Sequence, residues 1–197
     1  MGATIIPKND LPILFFEKSR DWEDWLNEQY DRSPGVWLQL AKKSSGLQSI
    51  TYDDAVEVAL CYGWIDGQKK GFDEFTWLQK FTPRGDNSIW SKINRDKAQA
   101  LIDSGRIKSA GLHAVERAKQ NGRWEAAYDS HSTASVPDDF QNALDDNPEA
   151  KAFFATLNSQ NRFAILFRIQ TAKKAETRTR RIQKYVQMLE RHEKIYP

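Results

Sequence analysis

Two kinds of hydrophobic spacing divide this chain of 197 residues. Up to about residue 82, short apolar runs with strand-like alternation lie between helical patterns, and from Asn94 onwards almost every apolar spacing is helical. Alternation with a period of two is typical of strands, whereas spacing of three or four residues is typical of amphipathic helices. The pattern predicts an α+β fold, with a small mixed or antiparallel sheet and packed helices in the N-terminal part, followed by an all-helical C-terminal domain.

The strand patterns occupy four short segments, which are 13–17, 36–43, 64–66 and 75–81. The last two are joined by the loop 67–74 and are expected to form an antiparallel pair. Pro83 is expected to end the second of them, because proline cannot donate a ladder hydrogen bond.

The clearest helix signal begins at Thr51. Thr51 and Asp54 have the spacing of a capping box, the apolar stripe that follows is helical, and Gly63 is placed to end the helix. Further helices are predicted over 20–30, over a short segment capped by Asn87 or Ser88, and over 95–104, 109–121, 137–146, 148–157, 160–171 and 173–193.

One segment, 129–136, is small and polar and lacks bulky core residues. Such a composition is typical of a linker. The sequence therefore predicts an α+β domain over 1–128, with its sheet in about 13–82 and helices up to 122, and a C-terminal helical domain over 137–197.

The formal net charge of the chain is only +2, which is too small to indicate nucleic acid by itself. The charge is uneven, since residues 173–194 hold eight Lys and Arg against three Asp and Glu, and the rest of the chain sums to −3. The basic side chains of the last helix can form a solvated outer face, or a surface for an acidic partner, nucleic acid or anionic lipid. The candidates for such a surface are Arg178, Arg180, Arg181 and Lys184.

The compartment expected from the sequence is the cytoplasm. A single cysteine, Cys61, excludes an internal disulfide and fits a reducing environment. No apolar run approaches the roughly 20 residues that span a bilayer, and residues 1–12 lack the pattern of a secretory signal.

Motifs for catalysis and for cofactors are missing from the sequence. The three histidines, His113, His131 and His192, are far apart, and neither a nucleophile elbow nor a phosphate-binding loop occurs. We therefore predict no catalytic residue, no metal site and no cofactor.

Large aromatic and charged side chains are concentrated between Thr51 and Asn94. A ligand cleft has this composition, and so does a packed core with a polar edge. The candidate ligand-binding residues are Trp64, Asp66, Lys69, Arg84, Trp90 and Asn94. Asp66 and Arg84 can form a structural ion pair, or Arg84 can bind an anion at the start of the helix expected at Ser88.

Several motifs make the chain similar to a known family. They are GWIDG (63–67), FTPR (81–84), SxWSxxN (88–94), AGLxAVExAKxxGxW (110–124) and KKAETRTRRI (173–182). Over Val36 to Leu189 the chain resembles the YdeI/OmpD-associated, or bacteriocin-protection, family. The resemblance implies association with an outer-membrane porin and protection against bacteriocins or cationic antimicrobial peptides, and it implies no reaction.

Three functions are compatible with these patterns. The first is a non-enzymatic cytoplasmic protein that acts by binding or in stress protection, with a protein or small-molecule partner. The second is an enzyme or binder of a small anionic ligand that uses Asp66, Arg84 and Asn94. The third is weak nucleic-acid binding through the basic C-terminal helix. A closed pocket lined by Trp64 and Trp90 would favour the second, and a continuous electropositive surface would favour the third.

Overall fold

A computed structural model describes residues 11–130 and 134–197. The chain divides into two compact units, and each is described by itself. The N-terminal unit consists of Met1–Ile89 and Asn94–Glu125, and the C-terminal unit consists of Trp90–Ile93 and Ala126–Pro197. The predicted linker 129–136 and the domain bounds drawn from it stay predictions. His131 and the N-terminal segment 1–10 lie outside the described residues.

The N-terminal unit is built on a four-stranded mixed sheet with the order β1-β2-β4-β3. The strands are β1 (Ile13–Phe15), β2 (Val36–Ala41), β3 (Trp64–Gly71) and β4 (Thr76–Pro83). β1 pairs parallel with β2, and the other two pairings are antiparallel. The predicted α+β class and the antiparallel pair ending at Pro83 are confirmed.

β3 is longer than predicted, because its ladder continues through most of the segment expected to be a loop. A β-bulge lies between Asp66 and Lys69, where the register against β4 shifts by one residue. The buried side chain of Gln79 donates hydrogen bonds to the carbonyls of Gly67 at 2.9 Å and Gln68 at 3.3 Å. These bonds pair the carbonyls that the bulge removes from the ladder, so the strand continues to Gly71.

From residue 11 onwards, four helices complete the N-terminal unit: α1 (Ser19–Gln29), α2 (Tyr52–Cys61), α3 (Lys92–Asp103, whose first two residues belong to the C-terminal unit) and α4 (Ser109–Gln120). The capping box predicted for α2 is present, with the Thr51 hydroxyl accepting from the Asp54 N–H and the Asp54 carboxylate accepting from the Thr51 N–H. Gly63 follows the helix with a φ of +71°, a conformation that glycine adopts without strain.

Tryptophans form the centre of the N-terminal core. Trp22 of α1 is fully buried, and its ring packs 5.8 Å from the ring of Phe81 on β4 and 6.3 Å from that of Trp64 on β3. Its indole N–H donates to the carbonyl of Ala55 in α2 at 3.2 Å, which satisfies the polar atom of a buried ring. The helices α1 and α2 are therefore fixed on one face of the sheet.

Two glycines of the sequence motifs allow α2 and α4 to approach closely. A Cβ atom added to Gly111 would meet the carbonyl oxygens of Cys61 and of Leu60, the latter at 2.6 Å. A Cβ atom on Gly63 would lie 2.7 Å from the carbonyl oxygen of Ala110. Gly63 of GWIDG and Gly111 of AGL thus serve helix packing, since only a residue without Cβ fits at either position.

In its described residues, the C-terminal unit has four further helices around one hydrophobic core: α5 (Asp138–Asp145), α6 (Pro148–Thr156), α7 (Ser159–Gln170) and α8 (Ala175–Glu190). Its polar centre is Asn161, which is 1% exposed. The Asn161 side-chain oxygen accepts from the N–H groups of Ile195 and Tyr196, and its amide donates to the Tyr196 carbonyl at 3.2 Å. This buried amide fastens the end of the chain to α7.

One expectation about helix positions is wrong. No helix begins at Asn87 or Ser88, because Trp90 and Lys92 pair their backbone groups with those of Tyr128 in a short β-type bridge. The helix predicted over 137–146 is present as α5, with Pro137 as its N-cap residue. In α8, Ile182 and Leu189 are buried, and Ala175 at the start of the helix is exposed. In the part of the chain that the structure describes, no helix is both long and apolar enough to cross a membrane.

Candidate ligand-binding site

The predicted site residue Trp64 is part of the core. It is 1% exposed, and its indole N–H donates to the carbonyl of Tyr30 at 3.0 Å. Its ring meets those of Trp22 and Trp25 edge to face. Because the ring packs in the core and its N–H is bonded to a backbone carbonyl, Trp64 is a structural residue and is not available to contact a ligand.

Asp66 and Asn94 are brought together, as the sequence interpretation required. The amide of Asn94 donates to Oδ1 of Asp66 at 3.4 Å, and the hydroxyl of Tyr52 donates to Oδ2 at 2.7 Å. The carboxylate therefore joins three elements, since Tyr52 begins α2, Asp66 lies on β3 and Asn94 lies on α3.

Arg84 lies apart from this group. Its side chain is only 6% exposed, its Nη1 donates to the carbonyl of Ile89 at 3.2 Å, and its backbone N–H donates to the carbonyl of Gly63. Among the described residues, Asp66 and Arg84 do not form the expected ion pair, since the hydrogen bonds of Asp66 come from Tyr52 and Asn94. The anion site expected at the start of a Ser88 helix also disappears, because that helix is not formed.

Trp90 belongs to the C-terminal unit. It is buried, and its carbonyl accepts from the N–H of Tyr128 at 3.0 Å. Trp90 therefore does not belong to the same unit as the other five candidate residues.

Lys69 is the predicted site residue that lines a cavity. The cavity lies in the N-terminal unit and has a volume of about 830 Å³. It is bordered by the end of β2, the connection from β2 to α2, the first residue of α2 and the adjacent parts of β3 and β4. Its lining residues are Leu40, Ala41, Lys42, Lys43, Gly46, Leu47, Gln48, Ser49, Ile50, Thr51, Tyr52, Lys69, Gly71 and Trp77.

The bulge in β3 explains why Lys69 reaches this cavity. Asp66 pairs with Phe81 and Lys69 pairs with Gln79, and the two partners are two residues apart on β4. Paired residues share a face of the sheet, so the extra residue of the bulge puts Asp66 and Lys69 on the same face. Strict alternation along β3 would have placed them on opposite faces.

An aromatic wall closes one side of the cavity. The rings of Tyr52 and Trp77 lie 6.1 Å apart, and the ammonium of Lys69 sits 4.2 Å from the centre of a Trp77 ring. A cation at this distance from an indole face is attracted by the ring quadrupole. Because its side chain is exposed, Lys69 can hold this position and still meet a negatively charged ligand.

Backbone hydrogen bonds hold the connection that forms the opposite side. The N–H of Ala41 donates to the Ser49 hydroxyl at 2.9 Å, and the N–H of Ile50 donates to the carbonyl of Phe16 at 3.0 Å. The ammonium of Lys42 donates to the carbonyls of Asp73 and Glu74, so this lysine fastens the connection to the turn between β3 and β4. Lys42, Lys43 and Lys69 are the exposed lysines of the lining, and of these Lys42 is the one whose ammonium is bonded to backbone carbonyls of the turn.

Sequence reasoning missed Tyr52, Trp77 and the 42–50 connection as parts of a site. By spacing alone, Tyr52 belongs to the apolar stripe of α2 and Trp77 to the strand segment 75–81. The signal that could have found them is the position of Tyr52 directly after an N-cap, where a large side chain remains near the end of the sheet. The cavity combines apolar walls, two aromatic rings and ammonium groups, which suits an organic anion with an apolar body.

The predicted basic surface is divided by its contacts. Arg178 forms a two-bonded ion pair with Asp139, at 2.6 and 2.8 Å, and also donates to the carbonyl of Ile169. Arg181 donates to the carbonyl of Arg168, and Arg180 and Lys184 remain exposed. Two of the four predicted residues thus hold the C-terminal unit together.

The thiol of Cys61 is buried at the end of α2. Burial raises the pKa of this thiol to about 11, which keeps it protonated at neutral pH. Within 11–130 and 134–197, no three His, Cys, Asp or Glu side chains are grouped so that they could hold a metal ion.

The fold and the site define a class: an α+β unit with an open aromatic cleft, in one chain with a helical unit. Residues 14–114, slightly more than half of the chain, match the family model described as Domain of unknown function (DUF8412). The chain belongs to this family, and its residues 133–192 match the family described as Bacteriocin-protection, YdeI or OmpD-Associated. The second match confirms the resemblance, while the GWIDG and FTPR motifs lie in the range of the first. No curated protein and no solved structure matches the chain.

Proposed function

We propose that this protein is a non-enzymatic cytoplasmic binding protein of stress protection, and that it holds a small organic anion in the cleft beside Tyr52 and Trp77. The observation that carries the proposal is the position of Lys69, whose ammonium lies 4.2 Å from a Trp77 ring at the edge of an 830 Å³ cavity. The match of residues 133–192 to a bacteriocin-protection family supports the role in stress protection. The lone buried thiol is compatible with a reducing compartment.

The size and lining of the cleft support a ligand of modest dimensions. Small-molecule sites commonly have volumes of about 300–1,000 Å³ and are mainly apolar with a few polar groups. Leu40, Leu47 and Ile50 supply aliphatic surface, and the rings of Tyr52 and Trp77 supply a surface on which a planar group can stack. An aromatic carboxylate has the matching chemistry, because its ring suits these walls and its charge suits the lysines.

The polar contacts around the cleft favour binding over turnover. Tyr52 is hydrogen-bonded to Asp66, and the Lys42 ammonium is bonded to two backbone carbonyls. These groups hold the walls in place, which lowers the entropy that the protein loses when a ligand binds. The charged contribution to the ligand then comes from Lys69 and Lys43.

Thermal unfolding in the presence of benzoate or indole-3-carboxylate tests the proposal, with benzamide as a neutral analogue of benzoate. A ligand that binds the native state raises the melting temperature in proportion to the logarithm of its concentration over Kd. We expect the two carboxylates to raise it and benzamide to do so less. Lys69→Gln should reduce the effect, whereas Lys119→Gln should retain it, because Lys119 is stacked on Trp124 outside the cleft.

Two outcomes would refute this function. One is a parent protein whose melting temperature does not respond to millimolar carboxylate. The other is an equal response in the parent and in Lys69→Gln, which would place the anion elsewhere. If chromatography showed that the protein consumes the carboxylate, the protein would be an enzyme and not a binding protein.

A further inference from the structure

The sheet of the N-terminal unit has a second face, opposite the one that packs on α1 and α2. The register divides the central strands clearly: Val36, Leu38 and Leu40 of β2 share a face with Phe81 of β4, and all four are buried. Trp37 and Gln39 of β2 share the other face with Lys80 and Leu78 of β4, their direct partners. This second face is called the outer sheet face below.

The outer sheet face exposes apolar side chains along β1, whereas Leu78 at the centre of this face is buried. β1 adds Ile13, paired with Trp37, and Phe15, paired with Gln39. Ile13 is 45% exposed and Phe15 is 41% exposed, which is unusual for large apolar residues on a sheet. The fold therefore leaves a row of apolar side chains accessible beside the Trp37 indole.

Two lysines are arranged on the same indole. The ammonium of Lys70 on β3 lies 4.1 Å from the centre of a Trp37 ring, and that of Lys80 on β4 lies 6.0 Å away. Lys70 points to this face because it pairs with Leu78, one residue after the bulge that turns Lys69 to the cleft. Of the described strand residues on this face, none carries a carboxylate. The face is thus positively charged around an aromatic centre.

We infer that the outer sheet face binds single-stranded nucleic acid, with a base stacked on Trp37 and neighbouring phosphates contacted by Lys70 and Lys80. An unpaired base has a flat apolar surface beside a negatively charged backbone, and open sheets with aromatic side chains bind it by stacking. Both lysines already lie against the ring, so a base and its phosphates meet the aromatic and cationic groups together. Ile13 and Phe15 extend the surface for an adjacent base.

The two lysines favour a negatively charged ligand, and the Trp37 indole favours a ligand with exposed flat rings. A duplex offers phosphates but keeps its bases stacked inside, so it would use the lysines and leave the indole unused. An acidic peptide or an anionic membrane would also satisfy the lysines, and neither offers flat rings at the spacing of successive phosphates. These three occupants are outcomes of the test.

Fluorescence anisotropy of a labelled 12-nucleotide oligo-dT, titrated with the full chain, tests the inference. We expect Trp37→Ala to weaken binding about 5- to 150-fold, the range found for loss of one stacking side chain. Trp37→Phe should retain most of the affinity, because phenylalanine keeps a ring. Since Trp37 also packs within the sheet, circular dichroism must show that each variant has the melting temperature of a folded protein.

The salt dependence gives a second, independent measurement on variants that keep Trp37. For single strands the slope of log affinity against log salt is about 0.7 per phosphate contacted. The double variant Lys70→Gln with Lys80→Gln should therefore lower the slope by about 1.4. Lys119→Gln removes a lysine stacked on a different tryptophan and should leave the slope unchanged.

The inference fails if the parent does not bind the oligonucleotide. It also fails if binding survives the Trp37 and lysine variants but is lost when Arg180 and Lys184 of α8 become glutamine, because the basic helix would then be the site. Equal affinity for a 12-base-pair duplex would show charge attraction alone. Binding of polyglutamate or of phosphatidylserine vesicles, without binding of the oligonucleotide, would assign the face to a peptide or a membrane.

Discussion

The hydroxyl of Tyr52 donates a 2.7 Å hydrogen bond to Oδ2 of Asp66. This bond links the first residue of α2 to β3, and the Tyr52 ring lies 6.1 Å from that of Trp77 on the next strand. The side chain that forms a wall of the cleft is therefore held at its tip by a carboxylate. The position of Asp66 on β3 therefore fixes the position of the Tyr52 ring.

Tyr52→Phe should affect ligand binding more than it affects the stability of the fold. A net hydrogen bond contributes about 0.5–1.5 kcal/mol, and this one is at an exposed site, so we expect a loss of unfolding free energy at the low end of that range. The ring remains, but it is no longer fixed, so the affinity for benzoate should fall more than the stability does. Urea unfolding and ligand-dependent melting measure the two effects. A stability loss above about 3 kcal/mol would mean that Tyr52 is a core residue.

The glycine of the AGL motif should be intolerant of a methyl group. Gly111→Ala would force a Cβ against the carbonyls of Leu60 and Cys61, and overpacking of this kind costs about 1–3 kcal/mol. Gly71→Ala is the matched control, because a Cβ there has no neighbour within 4 Å. Urea unfolding of both variants checks the prediction, and equal stability of the two would show that α2 and α4 can move apart without cost.

The ion pair of Arg178 and Asp139 should make the C-terminal unit sensitive to acid. The hydrogen bond from Arg178 lowers the pKa of Asp139 below its ordinary value. A carboxyl group with a lower pKa in the folded state stabilises above its unfolded pKa of about 3.9, and this stabilisation is lost as the pH falls through the folded value.

Asp139→Asn should therefore be less stable than the parent at pH 7. On acidification below about pH 4, its free energy of unfolding should fall less than that of the parent. The side chain of Asp139 is 47% exposed, so the difference at pH 7 should not exceed about 1 kcal/mol. Asp138→Asn, at the adjacent residue of α5, is the control. Identical pH profiles for the parent and Asp139→Asn would contradict the assignment.

Local signals made much of the fold predictable. The cap at Thr51, the end at Gly63 and the strand ending at Pro83 each depend on a few neighbouring residues, and all three occur as predicted. The helix expected at Ser88 is not formed, because the backbone around Ser91 pairs with Tyr128, about 40 residues later in the chain. Partners at that separation leave no periodic signal in a single sequence.

The candidate site was less predictable, because its geometry depends on the sheet. The register puts Trp64 and Trp77 on the same face of the sheet, yet Trp64 lies in the core and Trp77 lies at a cavity wall near the other end of the strands. The bulge between Asp66 and Lys69 then reverses which side chains of β3 face the helices. Neither the register nor the bulge can be derived from composition or spacing.

The bulge gives a final prediction, in which two adjacent lysines have separate effects. Lys69 faces the cleft and lies 4.2 Å from a Trp77 ring, whereas Lys70 faces the outer sheet and lies 4.1 Å from a Trp37 ring. The two single glutamine variants remove the same charge from the same exposed strand, so their effects on folding and on net charge are matched. Lys69→Gln should reduce stabilisation by benzoate and leave oligo-dT anisotropy almost unchanged. Lys70→Gln should weaken oligo-dT binding, lower its salt slope by about 0.7, and leave the benzoate response intact. If each variant impaired both ligands equally, the lysines would act through general charge, and the two surfaces would not be distinct sites.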